Sequence, residues 1–241
     1  MELSIEVSNV TVTLGGVEVL KNISLRLGRG LHVLLGRNGS GKTTLLRVID
    51  GLIRPVKGSV KVNGIDVFKI NRKELAKIVG YVWQNPLHGF FEENVKREIE
   101  FIIKNLRIKG RSDVIEILGL EDLLDRSPFV LSGGEARLVS IASVVIADQP
   151  IILIDEPFMS LDIDSVERVM SLLKKFRREG KLVVITTHNV LLTYMLNPDT
   201  LTLMDRGVIV FHGPLSKVND DILESAGVIS RRWLCSVCSE S

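Results

Sequence analysis

The sequence predicts an α/β fold: a mostly parallel sheet with helices, joined to an antiparallel β sub-domain and interrupted by an inserted helical sub-domain. Three observations predict it. Short apolar runs at 31–35, 151–154 and 182–185 read as buried strands, and stretches of helical period separate them, the order that makes a parallel sheet. Near the N-terminus apolar residues alternate instead, as in half-buried strands. Residues 85–135 then switch to helical spacing and break the strand-rich pattern.

Residues 3–35 read as strands. Val10, Val12 and Leu14 alternate, as do Ile23, Leu25 and Leu27, with a turn at Gly15-Gly16. Leu31-His32-Val33-Leu34-Leu35 follows as a buried strand, and Thr43 to Ile49 as a helix. Gly51 and Pro55 break that helix. Val60 and Val62 alternate, Asn63-Gly64 makes a hairpin turn, and Ile65 and Val67 continue the strand pattern. Ile78 to Trp83 is a further strand ending at Gln84. Phe91, Val95, Ile99, Ile102, Ile103 and Leu106 form one helical stripe, and Val114, Ile117 and Leu118 suggest a second helix. From Ser132 a helix through Val139, Ala142 and Val145-Ile146 leads to the strand Ile151–Ile154. A helix with Val166, Val169, Met170, Leu173 and Phe176 ends at Gly180. Then come the strand Leu182–Ile185 and a hairpin, 201–204 with 208–211, around Asp205-Arg206-Gly207. One domain, 1–241, is expected: a core with β sub-domain from 1–84 and 136–213, a helical sub-domain at 85–135, and a tail at 214–241.

Bulk properties exclude several classes. A 45% hydrophobic content over 241 residues supports a sizeable core rather than disorder. A net charge of +2 demands no nucleic acid. No basic region followed by an apolar run opens the chain, so no signal peptide is expected. The most apolar stretch, Leu138 to Ile154, is broken by Asp148, Gln149 and Pro150 and is not expected to span a bilayer. Cys235 and Cys238 have no second pair or nearby histidine, so no structural zinc site is expected.

The chemistry concentrates in three places. Gly36-Arg37-Asn38-Gly39-Ser40-Gly41-Lys42-Thr43 has the G-x-x-x-x-G-K-[ST] spacing of the Walker A phosphate-binding loop, between a strand and a helix. Its glycines let the backbone curl so that N–H groups face phosphate oxygens, and the helix N-terminus adds partial positive charge. Lys42 can reach the β- and γ-phosphates, and the Thr43 hydroxyl can ligate Mg²⁺. Ile151 to Glu156 is an apolar strand ending in two carboxylates, the Walker B pattern: Asp155 to hold Mg²⁺, Glu156 to orient water or take its proton. Ser132, Gly133 and Gly134 open a helix and offer a second anion site of amides, hydroxyl and dipole.

Taken together, these motifs resemble the ATPase subunit of an ABC (ATP-binding cassette) transporter. Leu131–Glu135 resembles its signature, usually LSGGQ; Gln84 matches the Q-loop, Ser160-Leu161-Asp162 the D-loop and His188 the switch histidine. The resemblance runs from about residue 3 to about residue 213. It implies a P-loop NTPase (RecA-like) fold and an ATPase converting ATP and water to ADP and phosphate. Two cassettes, identical or related, would pack head to tail. Gly36–Thr44 (with Arg37, Asn38, Gly39, Ser40, Gly41, Lys42, Thr43 and Thr44), Gln84, Asp155, Glu156 and His188 of one chain would hold ATP and Mg²⁺. Ser132, Gly133 and Gly134 of the other would close over the γ-phosphate.

Some positions depart from the family pattern. Leu14 stands where an aromatic residue usually stacks on adenine, Glu135 replaces Gln, Phe158 replaces Thr, and Asn189 follows His188. None removes a catalytic group. Gln84-Asn85-Pro86, Phe90-Phe91-Glu92-Glu93-Asn94-Val95 and the tail residues Gly213-Pro214, Ile222-Leu223 and Ala226-Gly227-Val228 resemble the cobalt and energy-coupling-factor (ECF) importers. That resemblance implies uptake of a metal ion or vitamin at the cytoplasmic face of the membrane. A transmembrane component would dock near Gln84–Val95, with Phe90 and Phe91 as candidate contacts. The rival is a soluble ABC ATPase such as an iron–sulfur assembly ATPase. Long coiled coils and a second cassette, marks of other soluble members, are absent from the sequence.

Overall fold

A computed structural model describes residues 3–230 and residue 232. In chain order its first elements are β1 (Ile5–Leu14), β2 (Val17–Leu27), β3 (Gly30–Leu35), α1 (Lys42–Ile49), β4 (Lys57–Val62), β5 (Ile65–Asp66), α2 (Arg72–Ile78), β6 (Val79–Val82), α3 (Val95–Leu106) and α4 (Asp113–Leu118). Next come α5 (Gly133–Val145), β7 (Ile151–Ile154), α6 (Ile163–Arg178), β8 (Leu182–Thr187), α7 (Val190–Leu196), β9 (Thr200–Asp205), β10 (Val208–Gly213) and α8 (Asp220–Ser225).

Two sheets result. One is antiparallel in its β1–β2, β1–β4 and β4–β5 pairings, in the order β2-β1-β4-β5. The other runs β10-β9-β3-β8-β7-β6 and is parallel except for the β9–β10 hairpin. The central strands read as unbroken apolar runs because both faces of this sheet are covered. Alternate side chains divide between two cores, as the two-residue period of a strand requires. Val33, Leu35, Ile152, Ile154, Val183 and Ile185 join the core with α5 and α6. Leu34, Ile151, Leu153, Leu182 and Val184 join the core with α1 and the antiparallel sheet.

Three helices, α2, α7 and α8, carried no clear sequence signal. α2 buries only Leu75 fully, and its start is set by Asn71, whose side chain accepts the Lys73 N–H. α7 is a two-turn helix capped by Asn189 on Leu192 N–H. The strand expected to continue through Val67 stops at β5, where the Asp66 carboxylate accepts the Phe68 N–H and turns the chain. Asn63-Gly64 takes positive φ at both residues, as its two-residue hairpin requires.

Phe91 does not belong to the helical stripe. Asn94 caps α3 on Arg97 N–H, so the helix begins after Phe91. Phe91 is 57% exposed and meets Phe101 edge-on at 4.3 Å between ring centroids, whereas Phe90 is buried. Residues 214–230 include α8, and Leu223, Ala226 and Val228 are buried in the first core. Gly227, at φ +65°, lies against the Arg37 side chain. Arg231, Trp233, Cys235 and Cys238 lie outside the described residues. Among the described residues no helix is long and apolar enough to cross a membrane.

The segment ahead of α3 is held by a buried carboxylate. Glu98 Oε2 accepts the N–H groups of both Phe91 and Glu92 at 2.9 Å. Glu98→Ala leaves these donors unpaired, so a loss of about 2–3 kcal/mol in urea unfolding is expected. A free energy equal to that of the wild type would show that the segment does not depend on Glu98.

Candidate nucleotide site

β3 delivers Gly36 to the carboxyl edge of the parallel sheet, where ligands of open α/β folds bind. The loop is packed backbone-close: a Cβ on Gly36 would sit 2.3 Å from the Met204 carbonyl oxygen. Gly41, at φ +105°, turns the chain into α1. Lys42 Nζ donates to the carbonyls of Gly36 (2.7 Å) and Arg37 (3.1 Å) and lies 3.8 Å from Glu156 Oε1. Burial pushes the Lys42 ammonium below its usual range, and the Glu156 and Asp155 carboxylates oppose that shift. Asn38 to Thr44, Gln84 and Glu156 line one cavity of about 220 Å³.

The two carboxylates at the end of β7 have different surroundings. Asp155 is fully buried, and its Oδ1 accepts hydrogen bonds from Thr43 Oγ1 (3.0 Å) and Thr186 Oγ1 (2.6 Å). Its Oδ2 is buried and has no hydrogen-bond partner among the described residues. A buried carboxylate oxygen with unused lone pairs beside the Thr43 hydroxyl is a donor set that fits a hard divalent cation such as Mg²⁺. Glu156 takes φ +52°, rare for a residue with a Cβ, and its N–H donates to Thr186 Oγ1 at 2.8 Å. His188 Nδ1 lies 3.1 and 3.2 Å from the two Glu156 oxygens. Glu156 therefore sits between Lys42 and His188, facing the cavity.

Three further residues shape this site and had weak sequence signals. Thr186 bridges Asp155 and Glu156; its only mark is a hydroxyl at the end of an apolar strand. Val19 lines the cavity, whereas Leu14 is 44% exposed and does not. Arg137 is 1% exposed, and burial pushes its guanidinium down to about 10. It donates to the carbonyls of Trp83, Gln84, Asp155 and Pro157, joining α5 to the ends of β6 and β7. A lone cation in an apolar helix was the signal available.

Ser132, Gly133 and Gly134 stand apart from these groups. They line a second cavity, of about 620 Å³, with Arg126, Ser160 and Arg168. It shares no lining residue with the first. Ser132 Oγ accepts the Glu135 N–H (3.2 Å) and Glu135 accepts the Ser132 N–H (2.8 Å), a reciprocal capping box. The Glu at the signature's last position thus closes the first turn of α5. Arg37 contributes its carbonyl to Lys42, but its side chain turns to Asp205 at 3.6 Å.

The family model for ABC transporters matches residues 20–159. The chain belongs to the ABC transporter family, as one of its ATP-binding subunits. A Pyrococcus horikoshii protein provisionally named an ABC transporter ATP-binding protein is 37% identical over 219 residues, covering 88% of this chain and 84% of that protein. An energy-coupling factor transporter ATP-binding protein of Staphylococcus epidermidis is 34% identical over 208 residues, covering 80% and 72%. Among solved structures, a dimeric ATP-binding cassette in a post-hydrolysis state with ADP and phosphate superposes with a TM-score of 0.78 at 26% identity, covering 88% and 98%. The fold is the P-loop NTPase fold of ABC cassettes, and the subunit is an ABC ATPase.

Thr186→Val tests how far the Asp155–Glu156 turn depends on one hydroxyl. It removes a donor to Asp155 and an acceptor for the Glu156 N–H. A loss of about 1–3 kcal/mol in stability, with at least a roughly tenfold drop in phosphate release at saturating ATP, is expected. Unchanged turnover would remove Thr186 from the site.

Proposed function

We propose that this ABC ATPase subunit drives uptake of a metal ion or vitamin in an ECF-type transporter, through ATP-driven closure of a head-to-tail dimer. The observation that carries the dimer reading is the separation of the two anion-binding elements into cavities without a common residue. One chain supplies the phosphate loop with its carboxylates, and a second chain is needed to bring Ser132, Gly133 and Gly134 to the same phosphate. Mg²⁺, when bound, neutralises charge on the β- and γ-phosphate oxygens; Thr43, Gln84 and Asp155 would hold it. Gly36–Thr44 cradles the phosphates, and Lys42 exchanges its contacts with the loop carbonyls for phosphate oxygens. Glu156 orients the attacking water or accepts its proton, and His188, placed against Glu156, contacts the γ-phosphate or that water.

The importer class is supported by the Staphylococcus relative and by Gln84-Asn85-Pro86 and Glu92-Glu93-Asn94-Val95. The transmembrane component would dock on the Gln84–Val95 segment at the cytoplasmic face of the membrane. Leu87 and Phe91 are exposed there, and Phe90, buried in the core, drops out as a contact. No nucleic acid is assigned as a partner.

Lys42→Ala should lower ATP hydrolysis by roughly 10²-fold or more, because it removes the charge facing the transferred phosphoryl group. Wild-type phosphate release would defeat the assignment. Glu156→Gln should bind ATP, hydrolyse it barely, and run as a dimer in gel filtration with ATP. A monomer under those conditions would defeat a head-to-tail homodimer. The importer class is tested by purifying the protein from its native membranes in detergent and identifying what accompanies it. A polytopic membrane protein with a small membrane-embedded binding protein is expected; soluble scaffold proteins alone would overturn the class.

A further inference from the structure

The signature cavity contains a carboxylate where a polyanion would arrive. Charged side chains lining it are Asp122, Arg126, Glu135, Asp162 and Arg168. Three of them have local structural duties. Asp162 caps α6 by accepting the Ser165 N–H, and Arg168 donates to the Leu118 carbonyl at 3.1 Å, beside Gly119, where a Cβ would collide with its guanidinium. Glu135 is committed on one side to the capping box.

Arg126 differs. Its backbone is fixed: its N–H donates to Leu123 and its carbonyl accepts the Val95 N–H. Its side chain is 57% exposed, and Nη1 lies 3.6 Å from Glu135 Oε1, beyond hydrogen-bond distance. An exposed pair of this geometry contributes little to stability. Among the described residues the guanidinium therefore has no structural task that needs it, yet it stands over the one carboxylate on the first turn of the signature helix. Hydrogen bonds from Ser132 and the Arg126 charge hold that carboxyl below its usual range, so it is ionised at neutral pH.

We propose that Arg126 is a positioning residue for the nucleotide of the opposing subunit, cancelling the Glu135 charge so that a signature ending in Glu accepts the phosphates as one ending in Gln would. This rests on the head-to-tail reading above. Without Arg126, the Glu135 carboxylate faces an incoming polyanion with Arg168, which is tied to the Leu118 carbonyl, and the helix terminus as the positive groups left in the cavity. A Gln at 135 keeps the capping box, because its amide oxygen can accept the Ser132 N–H, and removes the charge.

The test uses the full chain carrying Glu156→Gln and reads the ATP concentration that gives half-maximal dimer by analytical ultracentrifugation. Adding Arg126→Ala should raise that concentration roughly tenfold, with the gap narrowing as salt is raised. Adding Glu135→Gln to that variant should return it to within about twofold of the parent. The thermal midpoint should stay unchanged, since the pair is exposed. An unshifted Arg126→Ala variant overturns the proposal, and so does a shifted one that Glu135→Gln does not recover. A parent that stays monomeric with ATP overturns the dimer reading and this proposal with it.

Discussion

The hydroxyl of Thr186 is the constraint on which the carboxyl edge of the sheet depends. It donates to Asp155 and accepts from the Glu156 N–H, so one side chain fixes both acids and ties β7 to β8. Thr43 reaches the same Asp155 oxygen from the first turn of α1. Strand, neighbouring strand and phosphate-loop helix thus converge on one buried carboxylate. Its second oxygen has no partner among the described residues, which a fully buried acid tolerates only at a free-energy cost. The left-handed turn at Glu156 adds further strain, of order 1–3 kcal/mol. Both features cost stability, and departures of this kind gather at ligand sites.

Arg137 extends this arrangement into α5. Its guanidinium is buried among carbonyls of the β6 and β7 ends, and the helix that carries it is capped by Ser132. The segment after β6 is also held from the other side, where Glu98 binds Phe91 and Glu92. Arg137 on α5 thus joins the Trp83-Gln84 end of β6 to the Asp155–Pro157 turn, and Glu98 on α3 holds Phe91 and Glu92, each through a buried charge. Moving one of these parts alone would leave a buried charge unpaired, so displacement as a unit costs less.

Much of this was legible in the sequence because the signals were local. The loop between β3 and α1 follows from glycine spacing between a strand and a helix, and the acid pair from an apolar run that ends abruptly. The central strands were clear because burial on both faces leaves no polar positions. What escaped was either short or tertiary. α2 and α7 are each seven residues long and begin on an asparagine cap rather than on a long periodic stripe. Phe91 has the spacing of the α3 stripe, but the Asn94 cap starts the helix after it. Thr186, Val19 and Arg137 act through contacts distant in sequence, which no window of residues reveals. The packing of Leu223, Ala226 and Val228 into the core was likewise invisible in a stretch that reads as a tail.

Glu135 shows why a departure from a motif has to be weighed by geometry. By charge alone, a carboxylate on the first turn of a helix that is to meet a phosphate is unfavourable. By helix chemistry it is favourable, because an acid at the third helical position satisfies the Ser132 N–H and complements the dipole. The two effects act at different ranges. The capping bond is short, directed and made within one chain whether or not a ligand is near. The repulsion is longer-ranged and matters only when an anion approaches, and a cation placed on the same side can cancel it. Arg126 occupies that place, on a backbone pinned to the start of α3, with its side chain free of other ties among the described residues. The local bond secures the first turn, and the remote charge removes the penalty of having used an acid to do so.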